Sequence, residues 1–201
     1  MTNIERNQAH ARSKGSSGGE PFQSTDGIQL EDQPALVANL ISWAELIAQM
    51  VQVLGRPLDE AEIETARQMG VQNPGNIKVL VSVIPLPEIS DFSVLKTELH
   101  LPHKAEGLAL GYSLLLAREP EGPRDELLLH EFRHVQQCER WNGLAPFITE
   151  YLGQLERWGY EEAPLERDAR EASEKNIQKI YGRLKNHGNP SVINKQLRGS
   201  R

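Results

Sequence analysis

The residues in this chain most clearly equipped for chemistry are His130-Glu131-Phe132-Arg133-His134. Histidines four apart share one face of a helix, so both imidazoles can reach a single metal ion. The glutamate beside them is placed to hold a water and take its proton. By average composition, this H-E-x-x-H spacing arises by chance in under about one chain of this length in a hundred. Its surroundings also suit, because no glycine or proline interrupts Asp125 to Asn142. The helix is expected to start near Pro123, a favoured first-turn residue.

Two histidines leave a zinc site incomplete, because a catalytic zinc commonly has three protein ligands and one open position. The continuation H-E-x-x-H-x-x-G-x-x-H fails here, since its last two fixed positions hold Gln137 and Arg140. The third ligand is therefore expected from another helix. Glu166, in Pro164-Leu165-Glu166-Arg167-Asp168-Ala169, is the first candidate, with Asp168, Glu162 and Glu171 as alternatives. It lies in a first helical turn, where a carboxylate is favoured. It follows His134 by 32 residues (166 − 134), enough for one helix and a return. Ala169 is small enough to let the two helices approach. Arg133 points away from the metal face, and an ion pair with a neighbouring helix is its expected role.

The elements that must position these groups follow from periodicity. Leu36, Val37, Leu40, Ile41, Ala44, Ile47, Ala48, Val51 and Leu54 recur at helical spacing from Pro34, and that helix ends at Gly55. A second helix runs from Glu60 to Met69, closed by Gly70. Asn73-Pro74-Gly75-Asn76 is a turn. Ile77 to Ile84 is a β-branched strand, and Gly107 to Ala117 reads as another. Pro87 to Glu106 has no clear period, and His100 and His103 within it are assigned to a surface loop because Pro102 breaks the helix that would align them. Further helices are expected over Pro146 to Trp158 and Pro164 to Asn186. Helices, then strands, then helices indicate an α+β domain, mostly helical, with a short sheet beside the H-E-x-x-H helix.

The chain has 201 residues, 38% hydrophobic, with a net charge of −6. Residues 1–33 are poor in large apolar side chains and read as a disordered N-terminal tail, leaving 34–186 as the domain. Residues 187–201 form a flexible basic tail; from Lys175 onward there are seven basic residues and no acid. The tails are candidate contacts for a protein partner. The acidic body opposes nucleic-acid binding. The single cysteine, Cys138, excludes a disulfide framework or a cysteine-rich zinc site and is expected to be a small buried helix residue. No leader-like apolar core is seen over Met1 to Asp26 and no membrane-length run is read, so the expected location is cytoplasmic, or released without a signal peptide.

The two ligand segments resemble a gluzincin, a zincin-type metallopeptidase whose third zinc ligand is a glutamate. More narrowly, the chain resembles the bacterial putative-peptidase core domains associated with extracellular contractile injection systems. The matching stretches are Gly107 to Tyr112, Leu128 to Gln137 and Pro164 to Ala169, within a span from about Pro57 to Ser173. The resemblance implies a zincin-like domain holding Zn²⁺ through His130, His134 and Glu166, with Glu131 as general base in peptide-bond hydrolysis. It also implies that the strand carrying Leu108, Leu110 and Tyr112 pairs with an extended peptide substrate. Tyr151 or Tyr160 is a candidate oxyanion donor, and Tyr160 also a substrate contact. Gluzincins often carry an aspartate four residues after the third ligand to steady a zinc histidine. Arg170 stands there in this chain, so any such partner must be another residue. The alternative function is a catalytically weak or inactive zincin-like interaction or toxin-associated module.

Overall fold

Strands with two apolar faces need a helix on each side, and the short strands here have them. A computed structural model of the chain describes residues 29–87, 99, 101 and 105–186. The expectations for the N-terminal segment through residue 28, for His100 and His103, and for the basic segment from 187 lie outside the described residues.

Five helices and four strands make up the described fold, an α+β arrangement as expected. In chain order they are α1 (Pro34–Leu54), β1 (Arg56–Pro57), α2 (Glu60–Gln68), β2 (Lys78–Val81), β3 (Gly107–Leu110), β4 (Ser113–Leu116), α3 (Glu126–Arg140), α4 (Leu144–Glu162) and α5 (Pro164–Asn186). The sheet order is β1-β2-β4-β3. β2 runs parallel to β4, whereas β1 and β3 are antiparallel to their neighbours. Among the described residues, β3 is therefore an edge strand.

Side-chain alternation divides the core. Ala109, Leu114 and Leu116 face α3, where Leu128, Leu129, Phe132 and Val135 are buried against them. Leu110 and Leu115 face α1 and meet Ala44, Ile47 and Val51. Full burial of a side chain such as Phe132 stabilises the fold by about 1.5–3 kcal/mol. The sheet is thus held between α1 on one face and α3 on the other.

Several boundaries differ from expectation. The apolar run over 107–117 is two strands, because Gly111 adopts a φ of +64° and Tyr112 completes a two-residue hairpin. Glycine is the residue that tolerates such a conformation at the first central position of a tight hairpin. β2 is shorter than Ile77 to Ile84 because its partner β4 ends at Leu116, whose carbonyl accepts from Ser82 N at 2.9 Å. α3 starts at Glu126 rather than near Pro123, since the Asp125 carboxylate caps it by accepting from Leu127 N. α4 begins at Leu144, ahead of Pro146; its first run breaks at Gly159 (φ 67°, ψ 173°), directly after Trp158 as expected, and a short helical piece follows to Glu162. Residues 29–33, read as part of the tail, are packed on the domain: Leu30 is buried and its amide donates to Glu156 Oε1 at 2.7 Å. Contrary to the expectation that no run approaches membrane length, α1 is, by its 21 residues and composition, long and apolar enough to cross a membrane. Here one face of α1 contributes to the core.

Candidate metal centre

Helix α3 delivers His130, Glu131 and His134, and the first turn of α5 delivers Glu166. The two helices pack against each other, and Ala169 of α5 is fully buried. Arg133 clamps them, donating from Nε and Nη2 to the Asp168 carboxylate at 2.7 and 2.8 Å. This is the inter-helix ion pair expected for Arg133. The α5 start is fixed by Gln154 of α4, whose Oε1 accepts from Leu165 N at 2.8 Å.

The three expected ligands converge. His130 Nε2 lies 3.3 Å from Glu166 Oε2, and His134 Nε2 lies 3.3 Å from Glu166 Oε1. The two Nε2 atoms are 3.0 Å apart. One ligand atom from each residue can be chosen so that all lie within 4.8 Å of one another. Glu166 is 2% exposed, and its Oε2 is buried without a hydrogen-bond partner. An orphaned buried carboxylate oxygen is costly unless something positive meets it. Two imidazole nitrogens and a carboxylate, as a donor set, suit a divalent transition metal. The buried His130, His134 and Glu166 group can therefore hold a metal ion. Of the alternatives, Glu162 and Glu171 are exposed and Asp168 is engaged by Arg133.

The electrostatics are those of mutually dependent groups. Burial would raise the Glu166 carboxyl, but the His130 and His134 imidazoles beside it hold it well below the usual range. Burial would lower the His134 imidazole, yet hydrogen bonding and charge from Glu166 lift it to about 9. Burial raises the Glu131 carboxyl, with His134 and His130 opposing that rise and Glu166 adding to it. A carboxyl raised by burial takes up a proton more readily than an exposed one.

The positions of the other expected residues differ. A cavity of about 930 Å³ borders the ligand cluster and the edge strand. Leu108, Leu110 and Tyr160 line it, as do Leu40, Trp43 and Leu152. Tyr112 does not belong with Leu108 and Leu110. The hairpin turns it away, and its hydroxyl bonds Glu139 Oε1 at 2.9 Å. Tyr151 is not free to meet an oxyanion, because its hydroxyl donates to Glu166 Oε1 at 2.7 Å. Tyr160 stays protonated through burial and the nearby Glu166 and Glu131 carboxylates, with its hydroxyl within reach of Glu166, and the Arg170 guanidinium carbon sits 5.9 Å from its ring centroid. Arg170 also brings Nη1 to 3.7 Å from Glu166 Oε2.

Two contributors were missed in the sequence. Gly107 passes directly against the Glu131 side chain. Gln137 places Oε1 at 2.8 Å from His134 Nδ1. The available signals were a glycine opening the strand beside the motif and a glutamine three residues beyond its second histidine. Cys138 is a buried free thiol, as expected. Comparison with protein-family models, curated proteins and solved structures finds no match to this chain.

Proposed function

We propose that this chain is a zinc-dependent metallopeptidase. The observation that carries the reading is the convergence of His130, His134 and Glu166 from two helices, with the Glu131 carboxyl buried beside them and an edge strand alongside. These three residues would hold the ion. When bound, zinc supplies Lewis acidity and brings the ionisation of water towards neutral pH.

The chain's own groups account for the remaining work. Among the described residues no strand pairs with the outer side of β3, and that side is offered to an extended peptide, which aligns the scissile bond by backbone hydrogen bonding. The apolar side chains of Leu108, Leu110, Trp43 and Leu152 receive large apolar side chains of that peptide. Glu131 accepts a proton from the attacking water as the new C–O bond forms. It returns that proton to the amine nitrogen as the C–N bond breaks. Tyr160 donates a hydrogen bond to the carbonyl oxygen as negative charge develops there.

The deciding experiment combines zinc analysis with chelator-sensitive cleavage of a peptide library, using the parent protein and Glu131→Gln. The expected result is one zinc per chain in both and turnover only in the parent. Undiminished cleavage by Glu131→Gln would overturn the mechanism. A second reading, a metal-binding interaction module with little or no turnover, is favoured by Arg170, whose cation stands close to the third ligand. Zinc binding without cleavage of any library peptide supports that reading.

A further inference from the structure

We propose that Gln137 is a positioning residue that decides which nitrogen of His134 faces the ligand cluster, taking over a task usually given to a carboxylate. The inference rests on the metal-binding part of the proposed function and is independent of whether a peptide is cut. Gln137 is 1% exposed, so its amide must find its partners inside the protein. Nε2 donates to the Leu165 carbonyl at 2.9 Å and to Asp168 Oδ2 at 2.8 Å. Both partners are acceptors, so the nitrogen of the amide must be the atom facing them. That leaves Oε1 directed at His134 Nδ1, 2.8 Å away. An amide oxygen only accepts, so Nδ1 carries the proton. In the neutral ring Nε2 then keeps its lone pair, and Nε2 is the atom facing His130 and Glu166.

The relay extends further. Asp168 is held by the two-pronged grip of Arg133, and Arg133 Nη1 also donates to Met69 O at 3.4 Å. The order Arg133, Asp168, Gln137, His134 therefore ties the loop after α2 to α5 and back to a metal-facing histidine. Arg170 occupies the position where a gluzincin-like chain would carry a supporting aspartate, and it reaches Glu166 instead. A carboxylate touching a ligand histidine increases its basicity. Here the contacting group is a neutral amide, and the nearest carboxylate behind it is already paired with an arginine.

The test measures zinc affinity of the full chain by chelator competition, for the parent, Gln137→Leu and Gln137→Met. Both substitutions approximate the size of glutamine and remove the acceptor. The expected result is a loss of about 10–100-fold in affinity. Nitrogen-15 NMR of the zinc-loaded parent gives an independent readout: a protected proton on His134 Nδ1 with the metal on Nε2 supports the proposal. The reverse assignment overturns it even where the variants fail to fold. Affinity within about twofold of the parent in both variants also overturns it, and in a protein that still cleaves peptides it does so without touching the proposed function. The expected affinity loss in a protein that cuts no peptide supports the relay while removing the peptidase reading.

Discussion

The Glu131 side chain occupies the space that a Cβ on Gly107 would need: an ideal Cβ there lies 2.7 Å from Glu131 Cδ and 2.9 Å from Cγ, and closer still to Oε1. Glycine at this point serves room rather than backbone freedom. Gly107→Ala is expected to push the carboxyl out of place, lowering kcat about a hundredfold or more, the share a general base commonly supplies. Zinc content should be retained, because His130, His134 and Glu166 are not displaced. Kinetics together with metal analysis check this, and normal turnover in Gly107→Ala would contradict the role given to Glu131.

Stability of the metal-free protein should depend on pH through His134 and Glu166. His134 is raised from 6.5 to about 9, so its contribution is complete below its unfolded value and is lost as pH rises through about 9. Glu166 is lowered from 4.5, so its contribution is present above that value and is lost as pH falls into the acid range. The melting temperature without metal should therefore fall from about pH 6.5 to about pH 9. Zinc affinity should rise over the same window, because the metal must displace the His134 proton. Calorimetry at constant ionic strength measures the first effect and chelator competition the second. A flat melting temperature from neutral pH to 9 would refute the coupling.

Tyr151 and Tyr160 are expected to separate in function. Tyr151→Phe removes the hydroxyl that bonds Glu166 Oε1, and zinc affinity should weaken by about tenfold, the order of one hydrogen bond to a charged group. Tyr160→Phe should instead lower kcat by about a hundredfold, with a smaller change in zinc affinity. The paired measurement matters, since a purely packing role for both predicts matched losses of melting temperature and little else.

Asp125 should act on the helix alone. Its carboxylate accepts from Leu127 N at 3.0 Å and Glu121 N at 2.9 Å, and pairs with Arg118 at 2.7 Å. Asp125→Ala is expected to destabilise the protein by about 1–2 kcal/mol through loss of the cap. Zinc stoichiometry and kcat well below the melting temperature should be unchanged. Denaturant unfolding monitored by circular dichroism provides the measurement.

Much of the site was legible because its geometry is local. His130 and His134 share a face by helical spacing, and Glu166 could be picked from its position in a first turn. Tyr112 was misplaced for an equally local reason. A continuous strand puts residues 108, 110 and 112 on one side, and only the positive φ of Gly111 breaks that alternation. No Asn-Gly or Asp-Gly pair marks the turn, so the apolar run looked uninterrupted. The partner of His134 was hidden differently. Gln137 is oriented by Asp168, 31 residues away on another helix, and a contact of that range leaves no periodic trace. Likewise, the early helix start read at Pro123 reflects a real helix-favouring residue, overruled by Asp125 as the better cap.

The stretch from His134 to Glu166 contains all of α4, so an ion gripping both ends would fasten a loop of 32 residues. Cys138, the chain's one cysteine, is a free thiol, so no disulfide does that job within the chain. By the entropy of loop closure, a cross-link of this span is worth about 4 kcal/mol. Such a clasp would add to the Arg133–Asp168 pair that already seats α5 against α3, so that metal scarcity would be felt as lost stability as well as lost chemistry.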